Sequence, residues 1–163
     1  MKVYIVGDEA GYEHAYIRMY QDRGHTITRN MVEADLVQFT GGSDVSPHLY
    51  GEGPHPFTSN SKHRDTLEMK EYIKAKNLEK PMVGICRGGQ FLNVMNGGKM
   101  YQHVDNHAIG GTHQITDTFT NEQLQVTSTH HQMMRPADKA IIVAYAVGLS
   151  TFKENIHQGE IIK

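Results

Sequence analysis

Pro81-Met82-Val83-Gly84-Ile85-Cys86-Arg87-Gly88-Gly89-Gln90 joins a β-type run to a helical one, with a cysteine at the seam. Pro81 to Ile85 reads as a fully buried strand, and Gly88 to Asn96 as a helix stopped by Gly97 and Gly98. The pattern Gly84-x-Cys86-x-Gly88 has the form of a nucleophile elbow, a sharp strand-to-helix turn that holds the nucleophile in a strained conformation. Small residues at 84 and 88 are then a steric requirement. The helix start aims unpaired N–H groups and its positive dipole end at the sulfur, which favours the thiolate. A lone cysteine is otherwise most often a buried, inert side chain, but here the strand, glycines and helix around Cys86 point to a nucleophile.

Outward from this joint, strands and helices alternate. Lys2 to Val6 is a short β-rich run. From Glu9 to Arg23, Tyr12, Ala15, Tyr16, Met19 and Tyr20 recur at helical spacing before the stop at Gly24. His25 to Arg29 and Asp35 to Thr40 are further strands, the second ending in Gly41-Gly42. Residues 43 to 62, with Pro47, Pro54 and Pro56, lose periodicity and read as a long surface loop. Arg64 to Lys76 reads as a helix with Leu67, Tyr72, Ile73 and Ala75 on its apolar stripe and Glu68, Lys70, Glu71 and Lys74 on its charged outer face. Lys99 to Val104, Leu124 to Thr129 and Ala140 to Val147 are strand candidates separated by polar loops. This alternation favours an α/β fold with a parallel sheet and helices on both faces, whose chemistry lies at the C-terminal strand ends. Gly41, Gly42 and Cys86 all fall on that edge.

The chain has 163 residues, enough for one domain, with 16 basic and 18 acidic side chains. A formal charge of −2 offers no footprint for a polyphosphate, so nucleic acid is not an expected partner. The longest uncharged apolar stretch, Ala140 to Leu149, is far short of the ~20 residues a membrane helix requires. Lys2 precedes only Val3 to Val6 before Asp8 and Glu9, too little for a secretory signal, so a cytoplasmic protein is expected. One cysteine excludes an intrachain disulfide and a multi-cysteine zinc site. His103, His107 and His113 raise the question of a metal, but Asp105-Asn106 and Gly110-Gly111 argue against a shared helix face, and no metal or cofactor is expected. Gly97-Gly98-Lys99-Met100 lacks the upstream Gly and following Ser or Thr of a phosphate loop.

Gly84-Ile-Cys86-Arg87-Gly-Gly-Gln90 resembles the G-x-C-x-G-x-Q signature of class I glutamine amidotransferases, most closely their gamma-glutamyl hydrolase branch. Thr40-Gly41-Gly42-Ser-Asp44-Val-Ser-Pro47, Arg64-Asp65-x-x-Glu68 and Ser128-Thr-His130-His131-Gln132 are similar to that branch too, in the same order. The resemblance implies one flavodoxin-like domain over residues 1–163 that takes glutamine or a γ-glutamyl small molecule. Cys86 would attack the γ-carbonyl and pass through a thioester. The N–H groups of Gly42 and Arg87 would form an oxyanion hole, while Gly41, Gln90 and His130 would bind substrate.

One part of the family pattern is missing. The leaving nitrogen needs a proton, normally from a histidine oriented by a carboxylate. The family takes both from a C-terminal His-Pro-Glu motif, which this sequence lacks, along with the final strands around it. His157-Gln-Gly-Glu160 is the nearest imitation. Three explanations stay open: a longer natural chain, another histidine such as His130 or His131, or a catalytically silent relative that serves as a structural or interaction component. In the last case a protein partner or a second copy would cover the sheet edge left by the missing strands.

Overall fold

The structure is a computed structural model describing residues 1–7, 11, 13–105, 107–146, 150–151 and 161–162. Its residues cluster into two units, 1–46 with 59–92, and 47–58 with 93–163.

In the first unit β1 (Lys2–Val6) leads to α1 (Glu13–Gln21), β2 (Thr26–Ile27), a 3₁₀ turn (Met31–Glu33) and β3 (Leu36–Phe39). Then come α2 (Lys62–Asn77), β4 (Met82–Gly84) and the start of α3 (Arg87–Met95). The strands form one parallel sheet in the order β2-β1-β3-β4, with Val3 opposite Leu36 and Phe39 opposite Gly84. This is the doubly wound order of flavodoxin-like folds, as expected. Val3 and Val6 of β1 and Val37 and Phe39 of β3 are buried, with Val6, Val37 and Phe39 on one face of the sheet. Phe91 stacks on Phe39 with ring centroids 5.5 Å apart, and Tyr72 meets Phe91 edge-on. A polar residue inside this core, Gln38, is satisfied: its Oε1 accepts from Tyr20 Oη at 2.7 Å.

Two sequence expectations change here. β4 is not fully buried; it is the last strand of its sheet among the described residues, leaving Val83 39% and Ile85 43% exposed. The inward face of α2 is also different. Leu67 and Ile73 are exposed, whereas Arg64, Asp65, Glu68, Tyr72 and Ala75 are buried. The helical period holds, but its inner stripe begins with three charged side chains, Arg64 paired with Glu68 and Asp65 paired with Arg87.

The second unit contains a 3₁₀ turn (Pro47–Tyr50), β5 (Lys99–Tyr101), β6 (Ala108–Asp117), β7 (Gln123–Thr129), β8 (Met133–Arg135) and β9 (Ala144–Tyr145). The short pair β10 (Ser150–Thr151) and β11 (Ile161–Ile162) runs antiparallel. β5 pairs antiparallel with β8, and β6 lies between β7 and β9. The sequence reading had a loop where β6 runs. Gly110 and Gly111 are part of the strand because its register with β7 shifts between Ala108 and Gly111, a bulge with Gly110 at φ 63°. Of the strand expected over Ala140 to Val147, only Ala144–Tyr145 pairs, and Ile141, Ile142 and Val143 stay exposed; residue 147 lies outside the described residues. The loop expected over 43 to 62 has more structure than its prolines suggested. Asp44 bridges Asn60 in the first unit. In the second, the Gln102 side chain accepts from His55 N and Thr58 Oγ1, both at 2.9 Å, and donates to the Gly53 carbonyl at 2.8 Å.

Candidate active site

The first unit builds its site where β3 and β4 end. Ile85 N–H donates to the Phe39 carbonyl at 3.3 Å, and the chain then turns through Cys86 into α3. Cys86 has φ 55°, in the left-handed region that costs an L-residue roughly 1–2 kcal/mol. The turn is held by Gly88 N–H on the Ile85 carbonyl and Gln90 N–H on the Cys86 carbonyl, both at 3.1 Å. A Cβ on Gly84 would lie 2.2 Å from the Gly88 carbonyl carbon, and one on Gly88 would lie 2.3 Å from the Phe39 carbonyl oxygen. Both obstacles are backbone, so no side chain fits at either place. The strained turn leaves Cys86 exposed to solvent, at the N-terminus of α3.

The Thr40-Gly41-Gly42 segment runs beside it. A Cβ on Gly41 would sit 3.5 Å from that of Cys86 and 3.1 Å from Tyr16 Oη. Tyr16 Oη accepts the Gly41 N–H at 2.7 Å, so this donor is already engaged. Gly42 has φ 139°, and its N–H donates to none of the described residues. The Arg87 N–H, first in α3, has no acceptor within its helix. Ala15, Tyr16, Met19, Gly41, Gly42 and Ile85 line a cleft of about 430 Å³.

Beneath these two loops lies a buried ionic cluster. Arg64 Nη2 donates to the carbonyls of Thr40 at 3.1 Å and Gly41 at 2.8 Å, while its Nε binds Glu68 Oε1 at 2.9 Å. Arg64 Nη1 stands where a side chain on Gly42 would have to go, 2.0 Å from the Cβ position. Arg87 sends its side chain inward, binding Glu68 Oε2 and, at 2.6 Å, Asp65 Oδ1. Two guanidinium groups and two carboxylates thus cancel, all of them at most 5% exposed. They tie the diglycine loop, α2 and the first residue of α3 into one piece. Arg64-Asp65-x-x-Glu68 was visible in the family resemblance, but the amphipathic reading of α2 turned Glu68 outward. Tyr16 gave no signal beyond its place on the apolar stripe of α1.

The other predicted site residues divide between the units. Gln90 is buried, on the first turn of α3 beyond the elbow. His130 belongs to the second unit, where its Nδ1 lies 2.8 Å from the Gln132 carbonyl and its ring is 4.8 Å from that of His107. His131 is also there, with Nδ1 3.3 Å from His103 Nδ1. His157 and Glu160 lie outside the described residues. No helix among the described residues is long and apolar enough to cross a membrane.

The profile of the peptidase C26 family matches residues 10–149. The chain belongs to the peptidase C26 family. Within it, this C26 chain is 31% identical over 176 residues to a protein of Lactococcus lactis subsp. lactis described as a putative glutamine amidotransferase-like protein, covering 90% of this chain and 74% of that one. It is 30% identical over 102 residues to a glutamine-hydrolyzing GMP synthase component from Picrophilus torridus, covering 61% of this chain and 50% of the other. A glutamine amidotransferase from Thermotoga maritima shares the fold at a TM-score of 0.65 and 18% identity, covering 91% of this chain and 67% of that structure. The C26 chain is therefore a glutamine amidotransferase-like domain. Its exposed, left-handed cysteine beside a diglycine loop is the feature on which a mechanism can be built.

Proposed function

We propose that this domain cleaves a γ-glutamyl amide with Cys86 as nucleophile. Cys86 Sγ adds to the γ-carbonyl carbon of glutamine or of a γ-glutamyl small molecule, and the carbonyl π-electrons move to oxygen. The oxyanion collapses as the C–N bond breaks, the proton given up by the Cys86 thiol passes to the nitrogen, and ammonia or an amine leaves. Water then cleaves the γ-glutamyl thioester, releasing glutamate and restoring the thiol. The N–H groups of Gly42 and Arg87 donate to the oxyanion; loss of one such donor typically costs ~10²–10³ in rate. Gly41 lines the substrate cleft and Gln90 holds the substrate, and the ionic cluster under Gly41-Gly42 and Arg87 keeps both donors in place. The gamma-glutamyl hydrolase branch is the version that needs no second enzyme. A synthetic role would need a separate partner to accept ammonia.

The observation that carries this reading is Cys86 itself, exposed at φ 55° on a turn whose flanking glycines admit no side chain. The test is alkylation by a chloroketone analogue of glutamine, which forms the C–S bond with loss of chloride and needs no acid for the leaving group. It therefore tests the nucleophile apart from the proton donor that a His-Pro-Glu motif would supply. One adduct per chain on Cys86, suppressed by glutamine or a γ-glutamyl peptide, is expected. Labelling no faster than by iodoacetamide and unprotected by either compound would overturn it. That result would leave the alternative of a catalytically silent component of a larger assembly.

A further inference from the structure

We propose that His107, His113 and His130 form a three-imidazole binding site for a divalent transition-metal ion, Zn²⁺ above all. This site lies wholly in the second unit and makes no use of Cys86 or of the reading given to it. One ring nitrogen from each histidine lies within 4.8 Å of the others. The β6–β7 hairpin brings them together. His113 pairs opposite Val126, and Val126, Ser128 and His130 occupy alternate positions along and just past β7, so they share a face. His107 immediately precedes β6, and its ring meets those of His113 and His130 at 5.0 and 4.8 Å.

The hydrogen bonds select a consistent tautomer. His130 Nδ1 faces the Gln132 carbonyl at 2.8 Å, and His113 Nδ1 faces the Gln114 carbonyl at 3.3 Å. Carbonyl oxygens only accept, so each Nδ1 carries the proton and the lone pair falls on Nε2. Ser128 Oγ gives its own proton to the His107 carbonyl at 2.5 Å and lies 3.3 Å from His107 Nδ1, which it meets as an acceptor. All three rings thus place the lone pair on the same nitrogen. A ring N–H held by a carbonyl or hydroxyl is the outer-shell arrangement that orients a metal-binding histidine.

Three imidazoles suit zinc, with Zn–N distances of about 2.0–2.1 Å and a fourth position left for solvent. A tetrahedral ion would draw the nitrogens to roughly 3.4 Å apart, an inward swing of about 1 Å. His113 and His130 are only half-buried and have room to make it. The nearby His103 and His131 differ, because their Nδ1 atoms face each other and one must donate to the other. A sequence search for two histidines on one helix face misses this site, because it depends on strand pairing across the bulge.

The test is equilibrium dialysis of the chelator-stripped full chain against Zn²⁺, with metal counted by mass spectrometry and Co²⁺ absorption as a second readout. One equivalent per chain is expected, with Co²⁺ bands of tetrahedral intensity and no sulfur-to-metal charge transfer. His113→Gln should abolish tight binding, and Ser128→Ala should weaken it about 10- to 100-fold. His103→Gln and Cys86→Ser should leave it unchanged. Circular dichroism checks that His113→Gln folds; if it does not, Ser128→Ala decides. Substoichiometric zinc, undiminished affinity in His113→Gln and Ser128→Ala, or loss of zinc in Cys86→Ser would each overturn the proposal. Failure of chloroketone labelling would not touch it.

Discussion

Replacing Glu68 by Gln keeps the shape of the buried cluster and removes one of its four charges. Glu68 is fully buried and binds both Arg64 and Arg87. Without its charge, Arg64 loses its carboxylate partner and Arg87 keeps only Asp65, so a net positive charge is left out of water. Removing one partner of a buried ion pair costs about 3–5 kcal/mol, because the remaining charge has nothing to offset its lost hydration. Against a typical total stability of about 5–15 kcal/mol this is roughly a fifth of the whole or more. For a chain of this length it corresponds to a fall in melting temperature of roughly 6–20 °C. Chemical denaturation followed by circular dichroism, with calorimetry beside it, measures both. The same substitution should slow chloroketone labelling of Cys86, because Arg64 and Arg87 also position the Gly41 carbonyl and the start of α3. The double variant Glu68→Gln with Arg87→Met removes both partners of the Arg87–Glu68 ion pair together and returns the cluster to zero net charge. It should be less destabilised than the sum of its single changes, with a coupling of about 0.5–3 kcal/mol. A cost below about 1 kcal/mol for Glu68→Gln, or strict additivity in the double variant, would refute the argument that these charges are desolvated and mutually dependent.

Two further outcomes are expected. Gly84→Ala places a Cβ 2.2 Å from backbone and should cost about 3 kcal/mol or more in denaturant unfolding, whereas Gly53→Ala, with nothing within 4 Å, should be near neutral. Asp117 accepts the N–H groups of Phe119 and Thr120, both at 2.8 Å, and these bonds hold its carboxyl below the ordinary 3.8. A depressed carboxylate stabilises the folded state fully above pH 3.8 and loses that contribution as pH falls through its lowered value. An NMR titration should therefore show the Asp117 midpoint below 3.8, and Asp117→Asn should lower the acid sensitivity of the β6–β7 turn.

The strained strand-to-helix turn at Cys86 was legible in the linear chain because its constraint is local. A cysteine between two glycines, after a β-type run and before a helical one, leaves few conformations open, and the backbone clashes at Gly84 and Gly88 are the steric reason for that spacing. The parallel sheet of the first four strands followed from the same alternation. β6 was hidden by its glycines, which weaken a strand by propensity but here form a bulge. Glu68 was placed outward because an isolated carboxylate belongs in water. Its burial depends on Arg64, its neighbour on the same helix, and on Arg87, the first residue of α3.

Short-range steric and periodic information thus specified the strands and helices of the first unit and the strained cysteine, because each depends on residues within a few positions of one another. The charge-balanced cluster beneath the elbow and the three-histidine group on the hairpin depend on residues brought together from separate segments. Removing a charge from water, or gathering three imidazole lone pairs, is favourable only when every partner arrives, and the folded chain decides which partners do.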